Sequence, residues 1–253
     1  MENEDLITGN VKITIGGEPL AIELTVPSKP VKPGRMLPVF QGMSNLFTEL
    51  GEKAAAAAGA KISCKKGCGA CCRQPVPLAE IETHQIAALV EAMPEPRRGE
   101  IKKRFERAWH HFTEIGWFDR LDAAAHAAHQ ERQRIAAEYF RENVPCPFLE
   151  DESCSIHENR PLVCREYLVT SPVEHCLALD GKQIKMVPLP AKPSETVRRI
   201  TNSQNLNRVV NFVPLVLALE WARRFPDQSP EKTGEQWMAM FFTSLTKSEI
   251  PEA

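Results

Sequence analysis

The chain has the size and composition of an ordinary globular protein and is nearly neutral. It contains 253 residues, 43% of them hydrophobic and 7% aromatic, and 31 Lys and Arg against 33 Asp and Glu leave a net charge of −2. This composition allows a buried core, and so small a charge provides no overall field for nucleic acid or an anionic membrane. We therefore expect neither nucleic acid nor a membrane among its partners.

The N-terminal segment lacks the pattern of an export signal. Residues 1–5 (MENED) are acidic, whereas a secretory signal begins with basic residues followed by an apolar stretch. The longest apolar run, residues 209–219, is interrupted by Asn211 and Pro214 and is shorter than the roughly 20 residues that span a bilayer. We expect a cytoplasmic protein, where reduced thiols are favoured over disulfides.

Residues 6–26 alternate between apolar and polar side chains around Gly16-Gly17. This alternation is typical of a β-hairpin with a glycine turn. The apolar positions of the two predicted strands are Val11, Ile13, Ile15, Leu20, Ile22, Leu24 and Val26. Because a lone hairpin is marginally stable in water, we expect it to pack on the rest of the protein. The prolines at 27, 30 and 33 predict a stiff connector after it.

Apolar residues at helical spacing follow the connector. The predicted helices run from Leu37 to Gly59, from Leu78 to Pro94, over residues 101–112 and from about Asp122 to Glu142. A further helix is predicted from Ser194 to Phe225, with a kink at Pro214 because proline lacks an amide donor. Thr233 and Gln236 form a capping-box pattern before a last helix.

The eight cysteines form two groups that flank the predicted helices of the middle of the chain. The first group reads C-x3-C-x2-C-C and the second is more widely spaced. The cysteines are Cys64, Cys68, Cys71 and Cys72 in the first group and Cys146, Cys154, Cys164 and Cys176 in the second. Gly67 and Gly69 allow a tight backbone whose amides turn toward sulfur. We predict that all eight are metal ligands and that the metal staples the two groups together.

The metal is predicted to be an iron–sulfur centre of the 4Fe–4S type, with zinc as the alternative. Structural zinc sites usually show paired C-x2-C knuckles, and only Cys68 and Cys71 have that spacing, whereas iron–sulfur clusters accept varied spacings. Basic residues near the cysteines would offset a negatively charged centre and raise its potential. These residues are Lys65, Lys66, Arg73, Arg160 and Arg165.

Several other interpretations of the thiols and histidines are weaker. The C-x3-C-x2-C spacing is that of radical S-adenosylmethionine enzymes, but Ala70 stands where they have an aromatic residue and no βα repeat follows. A nucleophilic Cys176 with His175 is disfavoured because such partners meet in space rather than in sequence. A redox-active disulfide between Cys71 and Cys72 would compete with metal binding. Two histidine pairs, His110-His111 and His126 with His129, are interpreted as solvated faces rather than a second metal site.

The combination C-x3-C-G-x-C-C at 64–72, Cys146-Pro147-Phe148-Leu149 and the run from Cys154 to Arg165 resembles the YkgJ-type cysteine-cluster family. That family is described as chelating zinc or iron. The resemblance implies metal roles for the seven cysteines up to Cys164, whereas Cys176 lies beyond the motif. His157 stands where the family commonly has tyrosine, and Arg160 is expected to bond to the backbone or to cluster sulfur. The pattern also resembles flagellin lysine N-methylases, which implies an enzymatic alternative that uses S-adenosylmethionine.

We thus predict a mainly α protein with two metal-stapled cysteine loops and a small N-terminal β-hairpin. Its segments are the hairpin and connector at 1–35, a cysteine-cluster metal-binding domain at 36–180 and a C-terminal helical segment at 181–253 packed on the same core. The predicted function is metal binding with a redox or cluster-dependent role and a protein or redox partner. A structural zinc protein that presents its helices to a partner is the second hypothesis.

Overall fold

The computed structural model describes residues 5–15, 18–124, 127–177, 183–202 and 212–246. Within these ranges the protein is mainly α with a small N-terminal hairpin, which confirms the predicted fold class. None of the described helices is both long enough and apolar enough to span a membrane.

The N-terminal hairpin consists of β1 (Leu6–Ile15) and β2 (Glu18–Pro27), paired antiparallel with Val11 opposite Ile22. The predicted strands are thereby confirmed, and the Gly16-Gly17 turn lies outside the described residues. Ile22 and Val26 are buried in the largest hydrophobic cluster, so the hairpin packs on the helices as expected.

That cluster is built mainly by α1 (Leu37–Ala57), α7 (Pro193–Thr201) and α9 (Gly234–Thr246). Phe40 of α1 stacks on Phe241 of α9 with ring centroids 5.3 Å apart. The predicted capping box is confirmed, because the Thr233 amide donates to Gln236 Oε1 over 3.0 Å and the Gln236 amide donates to Thr233 Oγ1 over 3.3 Å. These local signals therefore place the C-terminal helix against the first.

The middle of the chain forms α2 (Glu80–Glu91), α3 (Arg97–Glu114), α4 (Trp117–Ala123) and α5 (His129–Arg141). The predicted single helix from Asp122 to Glu142 is wrong at its start, since Asp122 belongs to α4. Trp117 is only 1% exposed, and its indole N–H donates to the carbonyl of Ile135 over 3.0 Å. This anchor folds α4 back against α5 instead of letting the two helices continue into one another.

The predicted helix from Ser194 to Phe225 is also wrong. Helix α7 ends at Thr201, and Val213–Pro214 forms a short strand that pairs antiparallel with Pro77–Leu78. Pro77–Leu78 is strand β3 and Val213–Pro214 is strand β6, with β4 (Leu149–Glu150) and β5 (Ser153–Cys154) between them in the chain. Helix α8 (Ala218–Arg224) follows β6. The physical reason is that a residue before proline favours extended backbone and that proline cannot donate to a helix. The second helix was predicted to begin at Leu78, but Leu78 pairs with Val213 and therefore lies in β3.

Candidate metal centre

The fold brings both cysteine groups to one place. Cys64 follows α1, Cys71 and Cys72 lie on the 3-10 turn Ala70–Arg73, Cys164 lies in α6 (Leu162–Glu166), and Cys176 ends the 3-10 turn Val173–Cys176. All eight thiols line a single cavity of about 100 Å³. The cysteines are Cys64, Cys68, Cys71, Cys72, Cys146, Cys154, Cys164 and Cys176, all of them free thiols. Residues 70 or more positions apart in sequence therefore face each other here.

The two groups are held together by protein contacts. The amide of Cys146 donates to the carbonyl of Cys72 over 2.7 Å. The Arg73 guanidinium donates to both carboxylate oxygens of Glu152, over 3.0 and 2.6 Å. The docking is close at Gly69, where a Cβ would lie 2.6 Å from Leu149 Cδ1 and 2.8 Å from the Glu152 carbonyl oxygen.

Cys154 is placed by a two-stranded ribbon made of β4 (Leu149–Glu150) and β5 (Ser153–Cys154). Asp151 and Glu152 between the strands have φ values of 48° and 55°. Positive φ at both central residues is the conformation of the two-residue hairpin turns whose twist matches the strands. The ribbon therefore sets the position of Cys154 relative to the preceding Cys146.

The two glycines of the first group serve different purposes. Gly67 has φ +84°, a conformation that L side chains rarely adopt, as its predicted role in a tight backbone requires. Gly69 has φ −97°, which any residue can adopt. Its role is to let the first group approach the β4–β5 ribbon, a requirement the sequence pattern did not reveal.

Arg165 holds the loop in front of Cys164. Its guanidinium donates to the carbonyls of Arg160 and Glu158 and, over 3.2 Å, to Asn45 Oδ1. Arg73, through its pair with Glu152, and Arg165 therefore position the cysteine loops. They are two of the five basic residues predicted to offset the negative charge of the centre.

Six thiols of this cavity have a raised pKa, which favours their protonated state when no metal is bound. Burial raises the pKa of Cys146 to about 12 and that of Cys164 well above its ordinary value. The hydrogen bond that the Cys71 thiol makes with Cys72, followed by burial, raises the pKa of Cys71. Burial also raises the pKa of Cys64, Cys154 and Cys176. A bound cation would displace these protons and stabilise the thiolates.

Backbone amides provide part of the stabilisation that thiolates need. The amides of Val169, Phe148 and Ile156 hydrogen-bond to the sulfurs of Cys64, Cys146 and Cys154, respectively, and each bond acts to lower the pKa of its thiol. Hydrogen bonds of this kind tune thiolate-bound metal centres. The amides are thus already aimed at the sulfurs before any metal binds.

A positively charged wall completes the cavity. Lys65 and Arg160 carry this charge beside the thiols, and the exposed His157 also lines the cavity. Arg160 opposes the rise in the pKa of Cys64, Cys71 and Cys154, and its Nε is buried with no hydrogen-bond partner in the described part of the chain. A buried donor without a partner costs about 1–3 kcal/mol. An acceptor inside the cavity would remove that cost.

The donor set fits a thiolate-bound metal in type and number. Among the described residues, no three or more His, Cys, Asp or Glu side chains already form a metal-ligand group. Metal binding would therefore require the thiols to turn inward around the cavity they share. Four cysteines suffice for a structural zinc or for an iron–sulfur cluster, and eight are present.

Residues 63–186 match a family model described as CxxCxxCC, a putative zinc- or iron-chelating domain. This segment, just under half of the chain, is similar to zinc- or iron-chelating domains. The match confirms the resemblance to the YkgJ-type cysteine clusters and supports metal binding. The matched segment includes Cys176, which lies beyond the motif recognised in the sequence. Neither the curated proteins nor the solved structures contain a significant match.

Outside the cavity, the other sequence-based sites find different partners. His111 Nε2 lies 2.8 Å from Glu142 Oε2, and His175 Nδ1 lies 3.1 Å from the Gln183 carbonyl oxygen. His126 lies outside the described residues. Sequence reasoning missed Tyr167, which hydrogen-bonds to Cys176 and accepts a bond from Gln74 Nε2 over 3.1 Å. No spacing rule links a tyrosine to a particular thiol, so the sequence carried no signal for this contact.

Proposed function

We propose that this protein carries a cysteine-ligated iron–sulfur centre of the 4Fe–4S type with a redox or cluster-dependent role. The observation that supports it best is the cavity itself, which is lined by eight thiols and by Arg160, whose Nε is buried without a hydrogen-bond partner among the described residues. A thiolate-bound iron–sulfur cluster is anionic and presents sulfur acceptors, and hydrogen bonds to those sulfurs help set its potential. The cavity offers both the ligands and a charged donor.

In this proposal the residues have distinct tasks. Four thiolates bind iron, and the amides of Val169, Phe148 and Ile156 donate to sulfur. Arg160 and Lys65 place positive charge beside the centre, which stabilises its more reduced and therefore more negative state. The group itself, when bound, supplies the capacity to accept and release an electron.

The surroundings are consistent with exchange of electrons with a protein partner. Seven of the eight cysteines are partly exposed, and the exposed Lys65 and His157 lie at the wall of the cavity. A partner that reaches this wall comes close to the thiols without entering the core. We place the protein in the cytoplasm, where the thiols stay reduced and available to metal.

The test is the composition of protein purified without oxygen. We expect iron with matching acid-labile sulfide, about four of each per cluster, and a broad visible absorption that bleaches on addition of dithionite. The variant Cys164→Ser should lose iron and absorption, whereas Ser63→Ala, next to Cys64, should keep both. Zinc without visible absorption would refute the iron–sulfur centre and favour the structural zinc hypothesis. Calorimetry with S-adenosylmethionine tests the methylase alternative, which rests on family resemblance.

A further inference from the structure

The cavity contains twice as many thiols as one tetrathiolate centre uses, and their packing divides them. Six of the eight fall into two sets of three, whose members share packing or interact electrostatically with one another. We call Cys64, Cys68 and Cys176 the first triad and Cys146, Cys154 and Cys164 the second triad. Cys71 and Cys72 remain, and they are adjacent in sequence.

The first triad shares one hydrophobic environment. Cys176 is buried with Ala70 and Val169, and Cys64, Cys68 and Tyr167 pack against this cluster. The Cys176 thiol interacts electrostatically with Cys64 and Cys68 and forms a hydrogen bond with the Tyr167 hydroxyl. Two distant segments, 64–68 and 173–176, thus bring three sulfurs together, and Tyr167 adds a phenol beside them.

The second triad is built on a different scaffold. Cys146 and Cys154 pack against a separate cluster that contains Phe148 and Ile156. The charge of a Cys164 thiolate interacts with both Cys146 and Cys154. The β4–β5 ribbon and α6 therefore position these three sulfurs independently of the segments that hold the first triad.

Cys71 and Cys72 lie between the two triads. The Cys71 and Cys72 side chains are hydrogen-bonded to each other. Cys71 interacts electrostatically with Cys64 and Cys176 of the first triad and with Cys146, Cys154 and Cys164 of the second. Metal binding would replace the hydrogen bond between the two thiols, so that one thiol of this pair can serve each triad.

We propose that the chain binds two metal centres, one on each triad, with Cys71 and Cys72 each supplying the fourth thiolate to one of them. The arrangement of three, two and three thiols then accounts for all eight cysteines with four ligands per centre, the number that both zinc and iron–sulfur centres take. The inference extends the proposed function, but the number of centres is independent of whether iron or zinc is bound.

The experiment counts metal sites on the whole chain with Co²⁺, whose thiolate complexes absorb in the near ultraviolet and visible. We expect metal-free protein to bind two equivalents of Co²⁺, with thiolate-to-cobalt absorption that rises to a break at two per chain. Saturation at one equivalent would overturn the inference whatever the variants do.

Two single substitutions assign the equivalents. Cys176→Ser and Cys154→Ser should each lose one equivalent and keep the other, and the double variant should lose both. Tyr167→Phe, which leaves every thiol in place, should weaken the affinity of one equivalent and leave the other unchanged. Equal weakening of both equivalents by Tyr167→Phe would contradict two separate centres. Circular dichroism of each variant verifies that its helices are retained.

Metal identity separates this inference from the proposed function. Two zinc ions per chain in protein purified without oxygen would refute the iron–sulfur centre and leave the two-centre arrangement standing. One 4Fe–4S cluster with no further metal and no second cobalt equivalent would support the iron–sulfur centre and refute the two-centre arrangement.

Discussion

Replacing Gly69 with alanine should separate the two cysteine groups. An added methyl would lie 2.6 Å from Leu149 Cδ1 and 2.8 Å from the carbonyl oxygen of Glu152, and the latter belongs to a turn that cannot move freely. The backbone of Gly69, at φ −97° and ψ 9°, suits alanine, so the effect is purely steric. Overpacking of this kind costs about 1–3 kcal/mol. For a chain of this length, about 2 kcal/mol corresponds to a fall in Tm of roughly 4–8 °C.

Thermal unfolding followed by circular dichroism, together with Co²⁺ titration, measures both consequences. If the two cysteine groups move apart to relieve the clash at residue 69, metal binding must bring them together again. A cost of about 2 kcal/mol for this step weakens metal binding about 30-fold. Gly42→Ala is the matched control, because it is an exposed position within α1 with no atom within 4 Å of the added methyl. That control should keep or raise Tm, since alanine is favoured over glycine in a helix by about 1 kcal/mol. Equal Tm and cobalt affinity in the two variants would refute close docking at Gly69.

Three further predictions address the buried polar groups and the metal. Glu82→Gln should lower the free energy of unfolding in urea by about 1–3 kcal/mol. Both carboxylate oxygens of Glu82 accept backbone amides, from Ala79 over 2.9 Å and from Leu162 over 2.8 Å, and the NH2 group of glutamine cannot accept. An unchanged urea midpoint would contradict this prediction. Arg160→Gln should lower the reduction potential of the centre in a dye-equilibrated titration, whereas Arg160→Lys should stay close to the wild-type potential. Identical potentials in the wild type and both variants would show that the guanidinium does not act on the centre. Removing metal with a chelator should lower Tm, because a ligand at 1,000 times its Kd stabilises the fold by about 4 kcal/mol; equal Tm with and without metal would remove the proposed staple.

Local sequence signals predicted the elements that depend on local interactions. Alternation predicted β1 and β2, helical spacing predicted α1 and α3, and Thr233 with Gln236 predicted the start of α9. Each of these signals depends on residues close together in the chain. The errors arose where a distant partner decided the structure, as when Pro77 and Pro214 pair across more than a hundred residues.

The candidate site followed the same division. Cysteine spacing predicted that the thiols converge, and the structure places all of them around one cavity. The contacts that dock the groups were not predictable, because Gly69 meets Leu149 and Glu152 only after the intervening helices have folded. The chemistry of the side chains can be read from their type, but the partner of Arg73 or of Tyr167 depends on the three-dimensional arrangement.

The hydrogen bond between the Cys146 amide and the Cys72 carbonyl closes a long loop of the chain. Apart from Val76, the described residues between 73 and 145 lie outside the lining of the thiol cavity, and α3, α4 and α5 supply most of a separate hydrophobic cluster that Val216 completes. Lengthening a closed loop is inexpensive, since doubling its length costs only about 0.6 kcal/mol. Insertions in these outer helices would therefore leave the thiols in register. The surface formed by these helices can therefore change while the cysteine cavity stays the same.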